Sequence, residues 1–194
     1  MAATTGAPTI EDYFFADDGV VPNNPRLPLI VYRGALETGG DAAARCVALF
    51  DRNGWTGAWK NGVYAHHHYH SSAHEVLGVA AGWVRVRLGG EGGQTVELRA
   101  GDVVVIPAGV AHKKEGASPD LLVVGAYPRG QSPDMCSPGA TDRARTLPRI
   151  AAVPLPAGDP VHGNSGPLIE RWRAAERDRP AASRLASGAL EATP

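Results

Sequence analysis

Cysteine is scarce in this chain: Cys46 and Cys136 are the two found among 194 residues. Two thiols so far apart in sequence build neither a disulfide framework nor a Cys-x-x-Cys metal or redox site, so reduced, inert thiols are expected. An excess of either charge is also missing, since 19 Lys and Arg stand against 20 Asp and Glu for a formal net charge of -1. That balance provides no footprint for a nucleic-acid backbone or an anionic membrane surface. The expected partner is a small molecule, with no nucleic acid and no membrane. No apolar run approaches the roughly 18 residues of a membrane-spanning helix. Met1 to Gly6 lack the basic and apolar stretches of a secretory signal, so a cytoplasmic protein is expected.

What is abundant points to turns. The 24 Gly and 16 Pro disfavour helical bundles and coiled coils, while 43% hydrophobic residues are ample for a core. The length suits one domain, large enough to bury roughly 70% of its surface on folding. With no repeat and no linker, a single domain over residues 10–179 is expected, between a flexible start (1–9) and a disordered tail (180–194). Its metal-binding core is placed at residues 62–127.

Periodicity separates the elements. Ala43, Cys46, Val47 and Phe50 recur at helical spacing, with Asp41 as N-cap and Gly54 beyond the end. The prolines between Val21 and Pro28 predict a loop leading into an edge strand over Leu29–Tyr32. From Val63 to Tyr127 the texture is strand after strand. Val84, Val86 and Leu88 alternate with Arg85 and Arg87, as Val96 and Leu98 do with Glu97 and Arg99; Gly89 to Gly93 form the turn between them. The short apolar runs Val103–Ile106 and Leu121–Val124 read as buried strands. Several strands at this spacing predict a mainly β protein, a sandwich or barrel with a few short flanking helices. After Gln131 the chain reads as irregular up to a helix starting at Pro167.

The informative cluster is histidine. His66, His67, His68, His70 and His74 fall within residues 66–74, and Glu75 follows at once. If Ala65–Ser71 is a strand, His66, His68 and His70 share one face, while His67 and Tyr69 point to the other. Neighbouring inward imidazoles can reach one cation, and Glu75 can approach it from the next strand. The donor best placed to complete the cage is His112, at the end of the strand, proline and glycine series Gly101–His112.

These segments resemble the cupin family. The first cupin motif, G-x5-H-x-H-x3-4-E-x6-G, is matched by Gly62, His68, His70, Glu75 and Gly82. The second, G-x5-P-x-G-x2-H-x3-N, is matched by Gly101, Pro107, Gly109 and His112, with Gly116 in place of the final asparagine, read as a turn position. Phe50–Trp55, His67–Ser71, Val124–Pro128 and Ala151–Pro156 further resemble the YjlB-type bacterial cupins. The resemblance implies a double-stranded β-helix, or jelly-roll barrel, with the metal inside its mouth.

The expected ligands are therefore His68, His70, Glu75 and His112. Three imidazoles and a carboxylate suit one divalent transition metal, with Fe(II) favoured and Mn(II), Ni(II), Co(II) or Zn(II) also compatible. His66 is the expected catalytic residue, orienting a ligand or moving a proton. His74 becomes an alternative ligand if a bulge turns it inward. His67 is expected outside the barrel and His162 in solvent. Trp55, Trp59, Tyr64 and Trp83 are candidates for an aromatic wall, with simple core packing the more ordinary role. Arg85 and Arg87 read as a solvated face and Lys113–Glu115 as a charged surface turn.

The functional expectation is a metal-dependent dioxygenase-type oxidoreductase acting on a small, oxygen-rich, chelating molecule. A metal-dependent isomerase or lyase of a sugar or keto acid, or a non-catalytic small-molecule-binding cupin, would use the same cage. Strand pairing near Leu29–Tyr32 suggests a homodimer. Rival signals are weak: Thr95 interrupts any dinucleotide-binding glycine pattern, and no Gly-x-Ser-x-Gly elbow occurs.

Overall fold

Apolar residues at alternate positions in some strands, and at every position in others, sort the chain into a half-exposed sheet and a doubly covered one. The computed structural model describes residues 9–178, so the expected tails lie outside the described residues except for Thr9, which opens the first strand. In chain order the elements are β1 (Thr9–Phe15), β2 (Asn24–Arg33), α1 (Ala42–Arg52), β3 (Trp55–Asn61), β4 (Glu75–Ala81) and β5 (Trp83–Leu88). They continue as β6 (Gln94–Arg99), β7 (Val103–Ile106), β8 (His112–Ala117), β9 (Leu122–Pro128), α2 (Arg143–Ala152) and α3 (Pro167–Arg177). A six-stranded antiparallel sheet runs β1-β2-β7-β4-β9-β3, and a three-stranded antiparallel sheet runs β6-β5-β8. Together they form the double-stranded β-helix.

Between the sheets, Val31, Leu77, Val79, Val104 and Ile106 meet Val84, Val86, Leu88 and Leu98. The alternate residues of the large sheet, among them Tyr32, Val76, Val103, Val105 and Val124, face the other way. There they are covered by Cys46 and Phe50 of α1 and by Leu168 and Trp172 of α3. Burial on both faces explains the unbroken apolar runs of β7 and β9, whereas the alternation in β5 reflects an outer face left to solvent. Helix α1 packs directly on β4, where a Cβ at Gly78 would stand 2.6 Å from Cys46 Sγ and 3.1 Å from Phe50. Asp41 caps it as expected, accepting from Ala44 N. Both cysteines are free and buried, and burial pushes the Cys46 thiol up to about 12.

Four local expectations are corrected. Strand β2 begins at Asn24, within the expected proline loop, because Pro25 and Pro28 lie opposite an irregularity of the β1 ladder and before the β7 ladder, where a missing N–H disturbs no pairing. Nor is β2 an edge, since β1 and β7 flank it; a homodimer formed by strand pairing would have to use a free edge such as β1. Lys113–Glu115 and Gly116 are strand rather than turn, with Lys113 bonded to Glu91 and Glu115 to Arg87 on the solvent side. Helix α2 was concealed by Pro148 inside it; Asp142 caps it and Thr146 and Ile150 form its buried stripe.

Helix α3 starts at Pro167 as expected, but its cap comes from elsewhere. Its N-cap, Gly166, provides no side chain, and the fully buried Asp159 instead accepts from Leu168 N at 3.1 Å. Asp159 also accepts from Tyr32 Oη (2.6 Å), Val161 N (2.8 Å) and His162 N (3.0 Å), tying the helix to β2. No helix among the described residues is long and apolar enough to cross a membrane.

Candidate metal centre

The segment expected to be a strand over residues 65–71 is instead held by two isolated bridges. His68 and His112 exchange backbone hydrogen bonds of 3.2 and 2.9 Å, and Tyr69 and Cys136 exchange two of 3.0 Å. Gly109 N donates to His70 O at 2.8 Å; its φ of +92° and the Asn23 carbonyl lying 2.3 Å from any added Cβ explain the motif glycine. The backbone is thus stitched to β8, to the turn before it and to the loop at Cys136, and the side chains follow.

The ring centroids of His68 and His112 lie 4.1 Å apart, and those of His68 and His70 lie 5.6 Å apart. One nitrogen from each of His68, His70 and His112 falls within 4.8 Å of the others, and all three residues are buried. Glu75, the first residue of β4, points inward on the parity of Leu77 and Val79. Its Oε2 is 3.3 Å from His112 Nε2 and 3.4 Å from His70 Nε2. Donors that share one ion at about 2.1 Å stand about 3 Å apart when at right angles, so these separations fit a common cation. His70 Nε2 and Glu75 Oε2 are buried atoms without a hydrogen-bond partner, the signature of a site shaped for something other than protein.

Each imidazole presents its Nδ1 to a carbonyl: His70 to Asp134 O at 2.5 Å, and, more weakly, His68 to His66 O and His112 to Val110 O, both at 3.4 Å. A carbonyl only accepts, so these contacts place the hydrogen on Nδ1 and leave the Nε2 lone pair for the centre. Asp134 escaped sequence reading because no spacing rule joins residue 134 to residue 70. Its carboxylate accepts from Ser71 N at 2.6 Å and from Ser71 Oγ, strapping residues 131–136 across the cluster.

Burial and the neighbouring His112 and His70 push His68 down to about 3, so it stays a neutral donor. Burial opposes the charge on Glu75, but the neighbouring His112 and His70 imidazoles outweigh it and hold the carboxyl well below its usual range. At His70 burial likewise opposes protonation, and the Glu75 carboxylate more than reverses it, raising that imidazole.

The remaining histidines divide by parity and exposure. His74 is fully buried on the helix side, its ring 4.6 Å from Trp172 and its Nδ1 accepting from Ala108 N at 3.0 Å, so it turns away from the cluster. His66 is exposed and stacks on Tyr64 at 5.1 Å; its carbonyl, rather than its imidazole, makes the orienting contact with His68. His67 lies outside, 3.3 Å from Glu91, and His162 is exposed. The cluster opens into a cavity of about 290 Å³ whose walls include Trp59, Tyr64, Leu77, Tyr127 and Met135. Of the four aromatics expected as candidates, Trp59 and Tyr64 line it; Trp55 is core and Trp83 packs under Arg85.

His74 sets an acid limit. Burial drives its imidazole down to about 3, far below the ordinary value near 6.5. Between those values the unfolded chain binds the extra proton, so stability falls as pH falls below about 6.5. We expect His74 alone to remove about 2 kcal/mol between pH 6.5 and 5, read by urea unfolding of metal-free protein. A His74 ring resonance still titrating near pH 6 would contradict this.

The chain belongs to the cupin family, with residues 57–124 matching the Cupin domain model. Within the family it is 44% identical over 162 residues to the uncharacterized protein YjlB of Bacillus subtilis (strain 168), covering 84% of this chain and 96% of that protein. Solved structures are more distant. dTDP-6-deoxy-D-glucose-3,5-epimerase RmlC from Legionella pneumophila Philadelphia 1 is 14% identical, over 62% of this chain and 72% of that one, with a TM-score of 0.37. Acireductone dioxygenase from Bacillus anthracis is 15% identical, over 47% of this chain and 63% of its own length, with a TM-score of 0.34. At such scores neither one bears on chemistry here.

Proposed function

We propose that the protein is a metal-dependent enzyme of the dioxygenase type, acting on a small, oxygen-rich organic molecule that chelates the metal. The observation that supports this reading is the convergence of four buried donors, from His68, His70, Glu75 and His112, on one point at the floor of a cavity. A nitrogen and oxygen donor set without thiolate favours Fe(II), and four protein donors on a six-coordinate ion leave room for a bidentate oxygen ligand. When bound, such an ion supplies Lewis acidity and, as iron, one-electron chemistry.

The chain's own groups do the rest. His68, His70 and His112 keep their Nε2 lone pairs aimed inward, Glu75 contributes the negative charge, and the buried Leu77 gives the cavity an apolar inner wall. His66, at the mouth beside Tyr64, is the imidazole proposed to carry protons between the cavity and solvent. Two reduced thiols accord with a cytoplasmic setting.

Elemental analysis of the purified protein comes first, then anaerobic Fe(II) loading and oxygen uptake with a panel of hydroxy acids, keto acids and vicinal diols. Uptake with one substrate supports the reading. Product without oxygen moves the assignment to an isomerase or lyase, and binding without turnover to a non-catalytic cupin. His66→Ala is expected to keep the metal and lower turnover; unchanged turnover removes its imidazole from the chemistry.

A further inference from the structure

We propose that Tyr127 is the hydrogen-bond donor that recognises the oxygen ligand in this cavity. The inference rests on the metal-dependent reading above and adds to it a residue that no motif identifies. Trp59 and Gly125 face each other in the β3–β9 ladder, and a Cβ at Gly125 would fall 2.1 Å from the Trp59 ring. Glycine there lets the indole lie against the backbone of β9, where any side chain would displace it. Trp59 Nε1 then donates to Tyr127 Oη at 2.9 Å.

An indole N–H can only donate, so the phenol oxygen is the acceptor in that bond and keeps its own hydrogen for another partner. Trp59 fixes the oxygen; the hydrogen is left to the cavity. The Tyr127 ring stands edge-on to His70 at 5.9 Å and lines the cavity together with Glu75, so the hydroxyl lies on the side where the donors converge. A phenol ordinarily titrates at about 10, so it keeps its proton at neutral pH.

Elimination leads to the same group. Lys60, Asn61 and Tyr64 are exposed at the rim, and the Trp59 N–H is already engaged. His68, His70 and His112 turn their lone pairs inward and their hydrogens outward. Among the residues lining the cavity, Tyr127 is left as the inner side chain able to donate to an oxygen anion, which a desolvated site must satisfy.

The test uses full-length protein loaded with Co(II), whose visible absorption reports the ion, titrated with oxalate as a bidentate oxygen anion. Tyr127→Phe keeps the ring and its contact with His70 and so removes the hydroxyl alone. It is expected to bind Co(II) as the wild type does and oxalate about ten- to a hundredfold more weakly, the range for a hydrogen bond to a charged group. Trp59→Phe, which frees the phenol oxygen, is expected to weaken oxalate by a smaller factor with Co(II) binding unchanged. Oxalate affinity equal to wild type in Tyr127→Phe overturns the proposal. So does loss of Co(II) in that variant, which would make Tyr127 a support for Glu75, or a loaded wild type that ignores oxalate. Failure of the wild type to take up Co(II) removes the metal-dependent reading as well, and is seen before oxalate is added.

Discussion

His112→Ala is expected to lower metal affinity by more than about a hundredfold, because even the partners that merely orient a ligand are worth about 10–100-fold. His112 is an extreme case for three reasons. It is buried at the start of β8, its backbone forms the bridge to His68, and its Nε2 stands 3.3 Å from Glu75. The backbone bridge survives substitution by alanine, and His70 still faces Glu75 at 3.4 Å, so the sheets should persist. His70→Ala is expected to behave alike. Asp134→Ala, which loosens the clamp on Ser71 and with it the carbonyl that orients His70, should fall between these variants and wild type. Metal content after dialysis against a weak chelator, with far-ultraviolet circular dichroism as the fold control, checks the series. Unchanged content in both histidine variants would count against the assignment of the centre.

Asp159→Ala is expected to be the most damaging change away from the metal centre, at about 3–5 kcal/mol. One fully buried carboxylate accepts from Tyr32 Oη, Val161 N, His162 N and Leu168 N. Truncation leaves the buried Tyr32 hydroxyl and Leu168 N without a partner and also releases the part-buried amides of Val161 and His162. It also removes the negative charge at the start of α3, where the helix dipole favours an anion and Gly166 supplies no cap. Such a loss is a large part of the roughly 5–15 kcal/mol by which a domain is stable. In this size range it corresponds to a fall in Tm of about 6–20 °C. Urea unfolding at fixed pH measures it, and a loss below about 1 kcal/mol would show that the loop repacks around the gap.

How much of this was readable from the chain depended on the distance over which each rule acts. Period-two alternation in β5 and β6 and the helical spacing of Ala43, Cys46, Val47 and Phe50 are local, and both were legible. That His68, His70, Glu75 and His112 come together was legible as well, because with Gly62, Gly82, Gly101, Pro107 and Gly109 they carry the pattern in their spacing. Proline misled at Pro28, which lies beside a ladder irregularity and disturbs no pairing, and at Pro148, where the helix forms in spite of the lost N–H, capped by Asp142 and anchored by the buried Ile150. Long-range partners left no trace. Nothing near residue 70 announces Asp134, and nothing near Pro167 announces Asp159. Likewise the pairing of Trp59 with Gly125 exists only once β3 and β9 lie side by side.

The clamp at Asp134 has a consequence for biosynthesis. The histidines at 66–74 leave the ribosome well before the carbonyl that sets His70, which follows it by 64 residues. Until residue 134 has emerged, the His70 imidazole lacks the contact that orients it. The arrangement that sets His70 is therefore completed only late in synthesis. A nascent chain arrested before residue 134 would carry all four candidate donors and still lack the carbonyl that orients His70.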